Sequence, residues 1–323
     1  MLTHSTHSKR GWVVQERILS RRSLRFGPTL SWECWTISRS EFVHDPLNSP
    51  ELPLSARFLD VVTHTRNAPD TARATAEILS LWEAIVLEFT ASQLTVPSDR
   101  YTAISGLISA AVLSTGWRNL AGLWLPGIID QLLWRRAPYD GNTQRTGLGP
   151  SWSWVSVEGS VDFRDKDTDR TGWVELAEVV TDDEKDTALV PAVEESGTSQ
   201  PVALRLSCNP LKCTIIKSIF LHPEAWPPWP AGYYVESKHD LGYGIDWDEN
   251  SVLVPLVGIE HGKLEGGKLQ GIIVAPSTQW PGAYARVGRA QVYVHPRSGE
   301  DYDPPCPHLD LYDASLRQEI LLV

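Results

Sequence analysis

Cysteines are few in this sequence, and their spacing supports neither a disulfide framework nor a zinc site. The four of them are scattered along 323 residues without a Cys-x-x-Cys pair, at Cys34, Cys208, Cys213 and Cys306. No Asn-x-Ser/Thr sequon occurs, and no apolar signal segment follows Met1. Because disulfides and sequons accompany secretion, we expect a reduced, cytoplasmic protein whose cysteines are free thiols.

Long hydrophobic runs and an excess of positive charge are also missing. The longest apolar stretches, 103–113 and 120–134, are too short to cross a bilayer or are interrupted by Pro126 and Asp130. The formal net charge is −11, so neutralisation of phosphates would not drive binding to nucleic acid. We therefore expect neither a membrane-spanning helix nor a nucleic-acid partner.

The common catalytic motifs are absent as well. There is no Gly-x-Ser-x-Gly elbow, no P-loop, no His-Glu-x-x-His and no Gly-x-Gly-x-x-Gly that opens a helix. Ser105 lacks the first elbow glycine and falls within an apolar helical stripe, so we interpret it as a small packing residue. These absences predict no cofactor and no catalytic residue, with Glu16 kept as an alternative below.

One acidic run has part of the spacing of a calcium loop, at Asp165, Asp167 and Asp169. An EF-hand needs glycine at the sixth position and a bidentate carboxylate at the twelfth, where this sequence has Arg170 and Leu176. The run belongs to residues 158–195, which hold 13 Asp or Glu against 4 Lys or Arg. A solvated acidic loop is predicted, and a metal site on the three aspartates is the alternative.

What the sequence does have is apolar periodicity, with 42% hydrophobic residues and 14 Trp. Four prolines predict a linker over 46–70. Apolar residues then recur at helical spacing in two stretches, 78–89 and 101–112. Pro126 is predicted to open a third helix, with Arg135 and Arg136 in its last turn. We therefore expect a helical subdomain over 71–150.

From Ser151 onward the apolar period changes to two, as in the run from Val202 to Cys208. Trp152 and Trp154 are separated by one serine, so we predict a strand with both indoles on one face. The pair is expected to join a core with helices that carry Trp124 and Trp134. The predicted fold class is α+β, with a mostly antiparallel β subdomain over 151–323.

Four segments carry unusual combinations of residues. The first is Trp12-Val-Val-Gln15-Glu16-Arg, followed by Trp32-Glu-Cys. The second contains Asp99-Arg100-Tyr and Ser105-Gly106, then Gly122-Leu-Trp124 and Trp134. The third is the pair Trp152 and Trp154, and the fourth includes Tyr284-Ala-Arg286-Val-Gly288. In this order they resemble the closing motif of the fungal heterokaryon incompatibility (HET) domain and the region downstream of it.

The resemblance implies a fold and a role. The opening HET motif, Tyr-x-Ala-Leu-Ser-Tyr-x-Trp-Gly, is not found, so residues 1–45 are expected to be the C-terminal remnant of a HET domain similar to the Toll/interleukin-1 receptor (TIR) fold. A chain of this kind would be a recognition or regulatory module in vegetative incompatibility, without its own effector activity. Apolar residues within 10–37 are expected to form a partly exposed edge for a HET-type partner or for self-association.

Three alternatives stay open. Because some TIR relatives cleave NAD with a catalytic glutamate, the resemblance permits a degenerate NAD hydrolase that uses Glu16, beside Gln15, once a partner completes the site. The chain could instead be an accessory protein of a specialised-metabolite gene cluster. The third alternative is a truncated gene product whose true start lies upstream of Met1.

Overall fold

The computed structural model describes twelve stretches of the chain: 10–27, 29–41, 52–64, 72–136, 145–163, 170–181, 201–212, 220–221, 233–239, 252–260, 267–294 and 317–323. The chain divides into two compact units. The helical unit comprises residues 1–127 and 159–162, and the β-rich unit comprises 128–158 and 163–323. This division differs from the predicted boundary at residue 150, and it joins residues 1–45 to the helices instead of separating them.

The elements up to residue 127 are mainly helical. In chain order they are α1 (Gly11–Leu19), β1 (Arg22–Arg25), β2 (Ser31–Cys34), β3 (Ser38–Ser40), α2 (Leu54–His64), α3 (Ala72–Thr90), a 3₁₀ helix (Pro97–Arg100), α4 (Thr102–Thr115), β4 (Asn119–Leu120) and β5 (Leu123–Trp124). Helices α1 and α2 each contact α3, and each contacts α4. None of the helices within the described stretches is long and apolar enough to cross a membrane.

The elements beyond residue 127 are mainly strands. They are α5 (Ile128–Gln131), β6 (Arg135–Arg136), a 3₁₀ helix (Trp154–Ser156), β7 (Val161–Asp162), β8 (Arg170–Gly172), β9 (Glu175–Thr181), β10 (Pro201–Cys208), β11 (Leu211–Lys212), β12 (Phe220–Leu221), β13 (Tyr233–His239), β14 (Val252–Glu260), β15 (Gly267–Pro276), β16 (Tyr284–Val294) and β17 (Gln318–Leu322).

The two long helices follow from their apolar stripes, as predicted. The buried side chains of α3 include Ile78, Trp82, Ile85, Val86 and Phe89, and those of α4 include Ile104, Leu107, Ile108 and Ala111. Helix α4 ends at Gly116, whose φ of 70° suits the left-handed cap and whose N–H donates to the carbonyl of Val112. Burial of these stripes, and not helix propensity alone, holds the helices in place.

Two predictions about this part of the chain were wrong. The predicted linker over 46–70 contains α2. The carbonyl of Pro53, the residue before this helix, accepts a hydrogen bond from the backbone N–H of Arg57 in its first turn. Proline is compatible with the start of a helix, so Pro53 precedes a helix instead of extending a loop. The predicted third helix is the single turn α5, and Arg135 and Arg136 form a short strand after it.

The β-rich unit is built on one ten-stranded, mostly antiparallel sheet. Its main order is β11-β14-β15-β16-β17-β10-β9, with β13 also paired to β16, β12 to β13, and β8 to β14. Strand β16 pairs antiparallel with β15 and β13, and parallel with β17. Leu204, Leu206 and Cys208 of β10 are buried at alternate positions, which confirms the predicted period of two. The fold class is therefore α+β, as predicted.

Candidate functional site

Helix α1 carries the first HET-like segment and docks onto the second. The indole Nε1 of Trp12 donates to Oδ2 of Asp99 at 3.3 Å. The backbone N–H of Gly106, on α4, donates to Oε1 of Gln15 at 2.7 Å. The backbone N–H of Gly11 donates to the carbonyl of Gln93 at 2.8 Å and fixes the start of α1. Motif residues separated by about ninety positions in the sequence are thus in direct contact.

Two glycines make this close approach possible. A Cβ on Gly106 would lie 2.8 Å from Oε1 of Gln15, closer than real Cβ contacts occur. A Cβ on Gly11 would lie 2.7 Å from Cδ2 of Leu94. Because neither position has a Cβ, the side chains of Gln15 and Leu94 approach the glycine backbone closely, and any other residue there would require these side chains to move.

The remaining polar residues of this region have structural partners. Arg17 forms an ion pair with Glu88 of α3 at 2.5 Å. Ser105 donates its hydroxyl to the carbonyl of Thr102 at 2.8 Å, in line with its interpretation as a packing residue. Arg100 is buried and donates to the carbonyl of Gly159 at 3.0 Å.

Glu16 and Gln15 are placed differently from each other. Glu16 is exposed on α1, whereas Gln15 is half-buried with its side-chain carbonyl occupied by the amide of Gly106. A catalytic glutamate needs a substrate within hydrogen-bonding reach and groups that tune its proton affinity. In the described residues, the side chain of Gln15 joins α1 to α4, and the side chain of Glu16 lies on the exposed face of α1.

The three-stranded sheet β1-β2-β3 follows α1 directly. Antiparallel pairing places Leu24 opposite Trp32, and Trp32 opposite Arg39. On the other face, the buried carboxylate of Glu33 accepts a hydrogen bond from the hydroxyl of Ser55 of α2 at 2.8 Å. The same carboxylate forms an ion pair with Arg25 at 3.2 Å. One face of this sheet is therefore held against α2 by a buried polar contact.

Three apolar side chains near this sheet are exposed, in line with the edge expected over residues 10–37. The exposed fractions are 43% for Leu19, 48% for Leu24 and 78% for Phe26. Trp12 and Trp32 are half-buried. Exposed apolar side chains mark a contact surface where they form one contiguous patch, whereas single exposed apolar side chains are ordinary.

The second segment also forms a tight hairpin at residues 119–124. Ala121 and Gly122 form the turn between β4 and β5, with φ values of 47° and 91°. The amide of Gly122 donates to Oδ1 of Asn119 at 2.8 Å, and Nε1 of Trp82 donates to the carbonyl of Gly122 at 2.9 Å. Trp82 and Trp124 meet edge to face with centroids 5.3 Å apart. Trp124 therefore lies on a short strand and not on the predicted helix.

The prediction of a strand at Trp152 and Trp154 was wrong, although both indoles are fully buried as expected. Residues 151–153 form a turn, and a 3₁₀ helix begins at Trp154. Ser153 caps that helix by accepting the N–H of Val155 at 3.0 Å. In the predicted strand, Ser153 would lie on the face opposite the two indoles. In the structure Ser153 is buried, and its hydroxyl accepts a hydrogen bond from a backbone donor in the turn.

A buried cation completes this cluster. The guanidinium of Arg286 lies 3.5 Å from the ring centroid of Trp134, and its Nη2 donates to the carbonyl of the same tryptophan at 2.6 Å. Nε1 of Trp134 donates to the carbonyl of Trp152 at 2.8 Å. Arg145 donates to the carbonyl of Arg286, and the amide of Arg286 donates to Oγ of Ser151 at 2.8 Å. Trp134 follows α5 and is outside any helix.

Sequence reasoning missed the roles of Arg145 and Arg286. Arg286 is a residue of the fourth HET-like segment, to which the sequence assigned no role, and no sequence pattern pointed to Arg145. For Arg286 the available signal was a pair of arginines, Arg286 and Arg289, within a strand rich in apolar and small residues, since a cation is buried only where acceptors or an aromatic face receive it.

The two described cysteines have opposite environments. Hydrogen bonds from the hydroxyl and the backbone of Thr36 lower the pKa of the partly exposed Cys34 to about 7. Burial raises the pKa of Cys208 to about 12. Cys208 is thus an inert core thiol, whereas Cys34 is ionised to a large extent near neutral pH.

Asp165, Asp167 and Asp169 lie outside the described residues, so the acidic loop predicted there stays a prediction. Within the described stretches, no group of three His, Cys, Asp or Glu side chains is arranged to hold a metal ion.

Comparison with known proteins found no matching family model, no matching curated protein and no matching solved structure. The HET resemblance therefore depends on the residues of the four segments. The structure adds that the first of these segments contacts the second through Trp12 and Gln15.

Proposed function

We propose that this chain is a non-catalytic recognition or regulatory module of the HET type that acts in the cytoplasm during fungal vegetative incompatibility. Its partner is a HET-type protein, bound through residues 10–37. The observation that carries the proposal is the docking of α1, by Trp12 and Gln15, onto Asp99 and Gly106. The residues that resemble the family hold one contiguous unit together, and the apolar side chains next to them are left at the surface.

The surface character of this region supports binding in preference to catalysis. Leu19, Leu24 and Phe26 are exposed within eight consecutive residues. Gln15 uses its side-chain carbonyl in a contact between helices, and Glu16 is exposed. A surface of apolar and charged side chains is suited to a protein partner, where aromatic and arginine residues supply most of the binding free energy.

The role is tested by hyphal fusion. The chain is expressed in one of two compatible fungal strains, and dead cell compartments are counted after fusion with a strain that carries a HET-domain protein. We expect the frequency of cell death to change in the presence of the chain. The variant Phe26→Ser should abolish the change, because it removes the most exposed apolar side chain. The variant Leu113→Gln, at an exposed position of α4, is the matched control.

Catalysis is tested separately with the purified chain and NAD, alone and mixed with the HET-domain protein. We expect no NAD turnover in either sample and no effect of Glu16→Ala on the fusion response. NAD turnover that appears in the mixture and vanishes with Glu16→Ala would contradict the non-catalytic role and support an NAD hydrolase completed by a partner. A fusion response that is unchanged by the chain in every strain pair would contradict the role in incompatibility.

A further inference from the structure

Within the described stretches, the outer side of β1 is an unpaired sheet edge. The three-stranded sheet has the order β1-β2-β3, so β1 pairs with β2 on one side and with no other described strand on its second side. An edge strand presents backbone N–H and C=O groups on that side, and such groups can accept an additional strand. The opposite edge, β3, is less accessible because all three of its residues are half-buried.

The side chains of β1 make this edge both basic and apolar. Arg22 and Leu24 are exposed at alternate positions, so they lie on the same face of the strand. No ion pair joins Arg22 to another described side chain, whereas Arg25 on the other face is paired with Glu33. Phe26 extends the apolar surface just beyond the end of the strand.

Charge decides which strand fits this edge. A second copy of β1 would bring Arg21 and Arg22 of each chain along one short ribbon, with no acidic side chain on either strand, whereas Arg25 is already paired with Glu33 on the other face. Like charges on facing strands are destabilising, whereas opposite charges are stabilising. The arginines therefore act against self-pairing, a common use of charge on edge strands, and favour an acidic strand.

On the basis of the proposed recognition role, we infer that the edge of β1 binds an extended acidic segment of a partner protein as an added strand. A carboxylate of that segment faces Arg22, and an apolar side chain two residues away faces Leu24. Backbone hydrogen bonds supply affinity, and the alternation of acidic and apolar positions supplies specificity.

The probe is a labelled peptide, acetyl-Glu-Thr-Val-Thr-Glu-amide, which presents the same alternation in either strand direction. One control peptide has Lys in place of both Glu residues, and another, the Pro peptide, has Pro in place of Thr-Val-Thr, which removes backbone donors on both sides of the strand. Binding is measured by fluorescence anisotropy with the full chain. Hydrogen exchange of the β1 amides reports whether the backbone is paired.

We expect the Glu peptide to bind about fivefold more tightly than the Lys peptide, with a smaller difference at high salt. The Pro peptide should not bind, and β1 amides should be protected only by the Glu peptide. The variant Arg22→Glu should reverse the preference between the Glu and Lys peptides. Leu24→Thr should weaken both peptides, because it removes apolar contact while keeping a residue suited to strands.

Two matched controls are available on exposed helix positions. Arg73→Glu reverses a charge on α3, and Leu113→Gln removes an apolar side chain from α4. Neither should alter peptide binding. Arg22 and Leu24 are exposed, so their variants should unfold at the same temperature as the unaltered chain, which separates lost binding from lost folding.

Several outcomes would overturn the inference. Equal binding of the Glu and Lys peptides, or retained binding of the Pro peptide, would exclude an acidic added strand. Dimerisation in sedimentation experiments that is lost with Leu24→Thr would assign the edge to a second copy of the chain. Binding to phosphatidylserine vesicles that the Glu peptide does not displace would assign it to a lipid surface. A fusion response without peptide preference would refute only this inference, and peptide preference without a fusion response would refute only the proposed function.

Discussion

The two compact units satisfy their polar side chains in different ways. In the helical unit, α1 and β1 are held in part by ion pairs between side chains, Arg17 with Glu88 and Arg25 with Glu33, beside contacts to the backbone such as that of Gln15 with the N–H of Gly106. In the β-rich unit, the cluster around Trp134 joins side chains to backbone carbonyls, as in Arg286 to Trp134.

The difference follows from the state of the backbone. Helices satisfy most of their own backbone groups, so fewer backbone acceptors are left for side chains at a helix interface. Turns and short strands leave carbonyls unpaired, and a buried arginine with five donors can satisfy several of them. The β-rich unit should therefore depend more on single buried side chains, and the helical unit more on close packing between helices.

The largest expected difference between the units is in cysteine reactivity. In a Cys213→Ser, Cys306→Ser background, iodoacetamide should label Cys34 at least about a thousandfold faster than Cys208 at neutral pH. The thiolate is the reactive form, and the pKa is about 7 for Cys34 and about 12 for Cys208. The rate at Cys34 should rise with pH and level off above its pKa. Mass spectrometry of peptides checks this, and comparable rates at both sites would contradict the two environments.

Among the substitutions that compare the two units, Arg286→Ala should lower the free energy of unfolding the most. It removes the cation from the Trp134 ring and leaves the carbonyl of Trp134 without that donor, at a fully buried position. We expect a loss of about 3 kcal/mol in the free energy of unfolding of the β-rich unit.

Because the two units need not unfold together, this loss is measured by hydrogen exchange of peptides from each unit in urea. Arg286→Met, which fills similar space without a charge to bury, should cost less than Arg286→Ala. If both variants leave exchange unchanged in β16, the guanidinium contributes little to the cluster.

Gly106→Ala tests the close packing of α1 against α4. Alanine in a helix is favoured over glycine by about 1 kcal/mol, but a Cβ at this site meets the end of the Gln15 side chain, which must move and give up its hydrogen bond to the Gly106 amide at a cost of about 1 kcal/mol. The two effects should nearly cancel in the free energy of unfolding of the helical unit. In a Gln15→Ala background the same change should be stabilising by about 1 kcal/mol, and a change of equal size in both backgrounds would contradict the contact.

The smallest expected effect is at the hairpin of the helical unit. Ala121→Gly relieves the left-handed backbone but removes a buried methyl group, so the net change should be within about 0.5 kcal/mol. Ala111→Gly, buried in α4, is the matched comparison and should cost about 1 kcal/mol. Thermal unfolding measures both variants. If Ala121→Gly and Ala111→Gly lower the free energy of unfolding equally, the turn at Ala121 carries no strain.

Local patterns in the sequence were sufficient for the two longest helices and for strand β10. The stripes from Ile78 to Phe89 and from Tyr101 to Val112 predicted α3 and α4, and alternation to Cys208 predicted β10. These elements bury one face along their whole length, so the period of the apolar residues matches the period of the backbone. The same reasoning failed at Trp152, because two indoles and a serine in alternation also suit a buried turn.

The contacts that define the candidate site were decided by the tertiary structure. Nothing near Gln15 in the sequence indicates that the amide of Gly106 binds its side chain, and nothing near Trp134 indicates the guanidinium of Arg286. Such contacts depend on where distant segments meet after the apolar stripes are buried. The sequence by itself determined the long helices α3 and α4 and the alternating strand β10. Only folding determined which polar groups found partners and which side chains stayed exposed, because both depend on the distances between elements.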